Sequence, residues 1–290
     1  MKVENHFKVN RLYLIFLRLW ENAIRVVGMV FKARVFFEIR NFKIIFSLTF
    51  EDIIGRHLYV YGCWEPFQSS LIKNILKSGD VALDVGAHHG FYTLFMSQLV
   101  GNSGKIYSFE PSNLALEVLN KHLLLNETEN VKLFGFALGS ETSDSVSFIP
   151  GDGKNTGSAH ISNSAPDSII TERIQVRELD SIQEIDFQNV RVIKVDVEGH
   201  EDFFIQGAKR ALSRLGSGAV IFLEVFRPNG KSLREIIPSF TSLSDDFRIY
   251  VLPTDYSSKL FFKQVVNLPE VNFSASQIWG ETADLYIVRK

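Results

Sequence analysis

A chain of 290 residues with 46% hydrophobic and 22% charged side chains is long enough to bury a sizeable core and too apolar for a disordered polymer. Its formal net charge of -2 gives no case for nucleic-acid binding, and its single cysteine excludes an internal disulfide framework and a cysteine-rich zinc site. The charge is uneven: residues 1–50 hold nine Lys/Arg against three Glu, a net +6, which leaves -8 on the remainder.

In chain order, Arg11, Arg18, Arg25 and Lys32 recur every seventh residue with mostly apolar residues between them, including Leu14, Phe16, Leu19, Trp20 and Val27. On a helix this makes a drifting basic stripe beside a broad apolar face. Residues 1–57 therefore read as a basic, aromatic-rich helical extension. Arg18, Glu21 and Arg25 argue against a membrane span, since each Arg at the bilayer centre costs about 2.5–3.5 kcal/mol. Packing on the body or in a homodimer is the favoured role, and an interfacial helix on anionic lipid is the alternative. With no signal-peptide pattern, the expected location is cytoplasmic, peripheral to the inner face of a membrane in the lipid-bound case.

Residues 58–290 alternate strands and helices. Val81–Val85, Lys105–Phe109, Val131–Ala137, Val190–Val197, Ala219–Phe226, Phe247–Leu252 and Leu285–Arg289 read as strands. Phe91–Val100, Asn113–Leu125, Phe203–Leu215 and Ser232–Phe240 read as helices. The expected fold is α/β: a Rossmann-like, mainly parallel seven-stranded sheet with helices on both faces, plus the N-terminal helical extension. Residues 141–180 break the rhythm and read as a loop-rich insertion, with a mobile loop around Gly151–Asn163.

Asp84-Val85-Gly86-Ala87-His88-His89-Gly90 closes the first body strand and opens its helix. Gly86 permits a sharp turn, Gly90 permits close approach, and the helix N-terminus offers unpaired N–H groups. Glu110 ends the second strand about twenty residues beyond the turn, where a ribose-binding acid belongs. The turn is D-x-G-x-x-x-G, which disfavours the close approach to a pyrophosphate that a dinucleotide requires.

Gly62-Cys63-Trp64-Glu65-Pro66, VALDVGAHHG from Val81 to Gly90, Phe109-Glu110-Pro111, Leu179-Asp180-Ser181 and IKVDVEGHE from Ile193 to Glu201 occur in the order seen in FkbM-type methyltransferases, and Gly207-Ala208 and Leu223-Glu224-Val225 continue the match. The chain resembles that family from about Leu58 to Phe226. The resemblance implies S-adenosylmethionine as cofactor, O-methylation of a hydroxyl on a sugar, glycan or secondary metabolite, and cofactor contacts from Asp84, Gly86, Gly90 and Glu110. Ala87 and His88 lie in the same turn and join the cofactor set. The family usually has Asn-Ile where this chain has His88-His89. S-adenosylmethionine carries no phosphate and has a cationic sulfonium, which the acids Asp84, Glu110 and Asp196 would suit.

Methyl transfer needs an aligned acceptor oxygen and a route for its proton. Lys194, Asp196 and Glu198 alternate to one side of the fourth body strand, and Gly199 lets His200 turn toward the cleft. His200 is the expected proton acceptor, Asp196 the orienting group, Glu198 the polarising group, and Lys194 either catalytic or paired within the sheet. A divalent metal on Asp196, Glu198 or Glu224 would be chemically reasonable, but the sequence does not call for one, and no zinc spacing is present. The competing readings are a non-catalytic membrane-associated binding protein on the same fold and a nicotinamide-dependent oxidoreductase.

Overall fold

The computed structural model describes residues 2–4, 11–30, 34–39, 44–49, 52–149, 160–161, 172–225, 233–252, 265–267 and 283–290. The N-terminal section holds β1 (Lys2–Glu4), α1 (Arg11–Val30), β2 (Arg34–Ile39), β3 (Ile44–Thr49) and α2 (Ile53–Tyr61). The body continues through α3 (Pro66–Ile75), β4 (Val81–Val85), α4 (Phe91–Val100), β5 (Lys105–Phe109), α5 (Asn113–Leu125), β6 (Val131–Phe134) and β7 (Ala137–Leu138). Then come β8 (Ser143–Ile149), β9 (His160–Ile161), β10 (Glu172–Arg177), β11 (Val190–Val195), α6 (Glu201–Gly207), α7 (Lys209–Ser213) and β12 (Val220–Val225). The chain ends with α8 (Leu233–Thr241), β13 (Phe247–Leu252), β14 (Val265–Asn267) and β15 (Ala283–Arg289).

The main sheet has seven strands in the order β13-β15-β12-β11-β4-β5-β6. Strands β4, β5, β6, β11 and β12 run parallel, and β15 lies antiparallel between β12 and β13. This is the Rossmann-like α/β architecture that the alternation of elements implies. Apolar residues on both sides of each central strand bury it twice: Ala82 and Val192 belong to the core on one face, Leu83 and Ile193 to the core on the other. Strand order reverses between β4 and β11, so the carboxyl ends of these two strands open into the crevice where such sheets bind ligands.

The N-terminal section departs from a purely helical extension. It is helical over Arg11–Val30, but β2 and β3 form an antiparallel hairpin. Phe36 and Glu38 face out while Phe37 and Ile39 are buried, a period of two that the seven-residue spacing of basic residues overshadows. Residue 57 also falls inside α2, and Phe37, Ile44 and Phe46 share one core with Phe91 and Phe95 of α4. The hairpin is continuous with the body core. Helix α4 is correspondingly buried almost all round, as a helix covered on two sides must be.

One side chain of α5 and that of the residue capping its C-terminus complete the outer edge of β3. Asn126, just past the helix, accepts from Ile45 N and donates to Ile45 O, both at 2.8 Å. Ser47 N donates to Nε2 of the fully buried His122 at 3.0 Å, while His122 Nδ1 lies 2.7 Å from the carbonyl of His89. A strand edge that would otherwise leave polar backbone unsatisfied is paired by side chains.

The segment read as a loop-rich insertion contains a second sheet, in the order β7-β10-β8-β9 with β8 and β10 antiparallel. Most of the expected mobile loop around Gly151–Asn163 lies outside the described residues.

Candidate active site

Strand β4 delivers Asp84 and Gly86 to the crevice. Gly86 N and Ala87 N both donate to Phe109 O, at 2.9 and 3.0 Å, which ties the turn to β5. Gly86 has φ +83, and a β-carbon there would sit 1.8 Å from the carbonyl oxygen of Asp196. Gly90, at φ +88, is the N-cap of α4, where a β-carbon would meet Leu119 at 2.2 Å. Both positions therefore require glycine.

Asp84 is buried beneath the turn, where its Oδ2 accepts from Thr93 Oγ1 at 2.5 Å. Burial pushes its carboxyl up to about 6, against the pull of the Thr93 hydrogen bond and of Lys194. Glu110 is also buried; its Oε2 accepts from His88 N at 2.7 Å and its Oε1 from Ser112 N at 2.8 Å. Burial raises it to about 7, with these two amides opposing. Each carboxylate oxygen keeps a second lone pair. His88 and His89 stack at 3.8 Å between centroids on the same turn.

Lys194, at the end of β11, is the ammonium at the bottom of the site. Its Nζ lies 3.5 Å from Glu224, 3.7 Å from Glu65 and 3.8 Å from Asp196, and 5.4 Å above the Tyr92 ring. Burial opposes its charge, but the surrounding carboxylates outweigh that cost and hold the amine above its ordinary range. Tyr92 donates its hydroxyl to Glu65 Oε2 at 2.7 Å. Asp196, Glu65 and Asp284 all have raised pKa values, burial being the largest cause and repulsion from Glu224 contributing in each case. Asp196 opens to the cleft, with 32% of its side chain accessible against 1% for Lys194.

Asp84, Gly86, Ala87, His88, His89, Gly90, Tyr92, Lys194 and Asp196 line a cleft with about 470 Å³ of open space. Phe46, Ile54, Leu58, Trp64 and Phe91 complete the lining as its apolar part. The structure thus brings Asp84, Gly86, Ala87, His88, Gly90, Lys194 and Asp196 together. Glu110 adjoins the cleft through its bond to His88. Glu198 and His200 are not among the lining residues. Glu198 sits on the next turn at φ 47, and burial with repulsion from Glu224 and Glu201 pushes its carboxyl up to about 8. His200 is the N-cap residue of α6 without a side-chain cap bond, its ring 5.2 Å from that of Phe203.

Four non-glycine residues have positive φ among the described residues, and three of them, Glu65, His88 and Glu198, stand in or beside this site. Strain of that kind persists where surrounding structure enforces it, which is common at functional sites. Sequence reading assigned no role to Glu65, Tyr92, Asp284 or the apolar lining residues Phe46, Ile54 and Leu58. The signal for Glu65 was its place in the Gly62–Pro66 motif; the others converge only through the fold. Among the described residues, no group of three or more His, Cys, Asp or Glu is placed to hold a metal ion.

Residues 84–248 match the model of the methyltransferase FkbM domain. The chain belongs to the FkbM methyltransferase family. No curated protein matches it. Solved structures that it resembles include methyltransferase FkbM from Methylobacillus flagellatus, at 15% identity and a TM-score of 0.46, covering 80% of this chain and 52% of that one. A SAM-dependent O-methyltransferase from Thermotoga maritima matches at 18% identity and a TM-score of 0.44, over 78% of this chain and 65% of that one. An rRNA methylase from Streptococcus thermophilus matches at 12% identity and a TM-score of 0.44, over 77% and 94%.

The cofactor of this fold is S-adenosylmethionine, and the donor set fits it. The cleft combines the buried acid Asp84 and the partly open acid Asp196 with a glycine turn backed by Glu110, and its lysine already faces three carboxylates. Such a set suits a cationic, phosphate-free ligand and would repel a pyrophosphate.

Proposed function

We propose that this FkbM-family methyltransferase transfers a methyl group to a hydroxyl oxygen of a sugar, glycan or small secondary metabolite, with Asp196 taking the hydroxyl proton. The observation that carries this reading is the position of Asp196. Its carboxyl is partly open to the cleft, its backbone packs on Gly86, and Lys194 stands 3.8 Å behind it.

S-adenosylmethionine supplies an activated methyl group on a sulfonium; the protein's own residues do the rest. Glu110 would accept from the ribose hydroxyls, while Asp84 holds the turn through Thr93. The hydroxyl would donate to Asp196, whose raised pKa makes it a better proton acceptor near neutrality than an ordinary aspartate. Lys194, held cationic, cannot serve as the base; it limits the repulsion between Asp196 and the neighbouring acids. Phe46, Ile54, Leu58 and Trp64 give the cleft an apolar lining that would exclude water from the acceptor. The net -8 outside residues 1–50 supports a small molecule or glycan over a nucleic acid as acceptor.

The test is methyl transfer from labelled S-adenosylmethionine to a panel of hydroxyl-bearing glycans and small metabolites, with RNA included. Transfer to an RNA base and to no hydroxyl would overturn the acceptor assignment.

A further inference from the structure

Two helices of this chain begin in the ordinary way. Asp52 before α2 and Ser112 before α5 take extended backbone, and each side chain turns back to accept from an amide of its own first turn, Gly55 N and Ala115 N. Glu65 before α3 does neither. It stands at φ 43 and ψ 68, makes no side-chain cap bond, and precedes Pro66, where extended backbone is the rule. Left-handed backbone in a non-glycine residue and a forgone cap are both unfavourable locally, so the surroundings must hold Glu65 in place.

What holds it is the site. Its side chain is 5% exposed, and its Oε2 accepts from Tyr92 of α4 at 2.7 Å while lying 3.7 Å from Lys194 Nζ. That ammonium stands 3.8 Å from Asp196 and 3.5 Å from Glu224, and among the described residues it makes no hydrogen bond. An exclusive ammonium–carboxylate pair would close to about 2.7–2.9 Å. Lys194 is instead suspended between three acids that three different segments supply. Lys194 and Asp196 line the cleft and Glu65 does not, so any influence of Glu65 on the chemistry passes through the ammonium.

We propose, on the reading that Asp196 takes the acceptor's proton, that Glu65 is a positioning residue: anchored by Tyr92, it draws the Lys194 ammonium away from Asp196, so that Asp196 shares the cation and stays open to the acceptor hydroxyl. Removing the Glu65 charge leaves a larger share of Lys194 to Asp196 and makes it a weaker base. The groups facing Asp196 are Lys194 and Glu198 on its own segment, Glu224 of β12 and Glu65, while Asp284 of β15 and Asp84 of β4 face the same ammonium. Burial raises Glu65, Lys194 and Tyr92 favour its ionised form, and Glu224 opposes them.

The experiment is a carbon-13 NMR titration of the full chain with labelled aspartate carboxyls, in which the Asp196 signal is the one that Asp196→Asn removes. In Glu65→Gln the Asp196 midpoint should fall by at least about one pH unit, tenfold in proton affinity. Tyr92→Phe leaves the backbone of α3 alone and should lower the midpoint by less, because Glu65 then holds its own proton more firmly. Glu65→Asp keeps the charge and should restore most of the wild-type midpoint. A midpoint that is unchanged or raised in Glu65→Gln, whatever the melting temperature, overturns the proposal and leaves Glu65 a structural residue. If that variant does not fold, an unchanged midpoint in Tyr92→Phe overturns it. Failure of the underlying base reading shows separately, as undiminished methyl transfer by Asp196→Asn.

Discussion

The carbonyl oxygen of Asp196 occupies the space beside Gly86 that a β-carbon would fill, at 1.8 Å. The cofactor turn after β4 and the chemical turn after β11 therefore interlock through backbone, reinforced by Asp196 N donating to Val85 O at 2.9 Å. Gly86→Ala should break both turns at once. The residue sits at φ +83, where any side chain is strained, and the Asp196 peptide would also have to move. We expect Tm to fall by at least about 2–4 °C, the shift for roughly 1 kcal/mol in a chain of this order. S-adenosylmethionine affinity should fall at least about tenfold with it. Gly135→Ala is the control, since its added carbon meets only the end of Leu116 at 3.2 Å. Calorimetry and melting of both variants decide this; an unaffected Gly86→Ala protein would remove the interlock from the account.

The proton acceptor can be separated from its neighbour by mutation. Asp196→Asn keeps the size of the side chain and removes its charge, so turnover should drop by about 10²–10⁴ if general-base catalysis is lost, a larger loss than the accompanying fall in donor affinity. His200→Ala should cost less than about tenfold, because His200 stands at the start of α6 and does not line the cleft. If the losses are reversed, His200 is the base and the turn after β11 closes over the acceptor on binding.

Much of this site was legible because it depends on short-range rules. The order strand, D-x-G-x-x-x-G turn, helix, strand and acid is local, and it marks Asp84, Gly86, Gly90 and Glu110 from the sequence. The burial of Lys194 among carboxylates was partly legible, since a lysine ending an apolar strand needs a partner. Which partners it takes was not: Glu65 and Asp284 are 129 positions before and 90 after it. The hairpin was missed for a different reason. Its two strands have only six residues each, and their alternation competes with a longer basic periodicity. Nor could spacing show that His122 and Asn126 would pair the edge of β3, a contact made across 75 and 81 residues.

Glu110 gives a pH-dependent prediction. Burial raises its carboxyl from an ordinary 4.5 to about 7 in the folded chain. The folded protein then retains a proton that the unfolded chain has released, so this group's contribution to stability falls as pH rises across that window. Ligand binding runs the other way, because ribose hydroxyls donate best to the ionised carboxylate. Donor affinity should therefore rise between about pH 6 and pH 8 and then level off. Glu110→Gln should flatten this profile, and Glu110→Ala should lose about 1.5–3 kcal/mol of binding, roughly tenfold to over a hundredfold. Titration calorimetry across that range checks it. A pH-dependent profile that survives in Glu110→Gln would point to Asp84 instead.

Lys194 offers the sharpest test of how the site is held together. Its ammonium is 1% exposed and stands within 4 Å of Glu65, Asp196 and Glu224. Lys194→Met fills the same space but leaves those carboxyls buried without their cation, a change that costs about 3–5 kcal/mol when one partner of a buried pair is removed. The sign of the pH effect follows from the acids. Glu65, Asp196 and Asp284 are already raised by burial, and losing Lys194 raises them further. In the variant the penalty is therefore present where the unfolded chain has ionised carboxylates, and it disappears as pH falls through the unfolded range of about 4. Thermal melts should show a large deficit for Lys194→Met near neutral pH that narrows steadily toward acid. A deficit that stays constant with pH would mean that Lys194 supports the fold by packing against Tyr92 rather than by its charge.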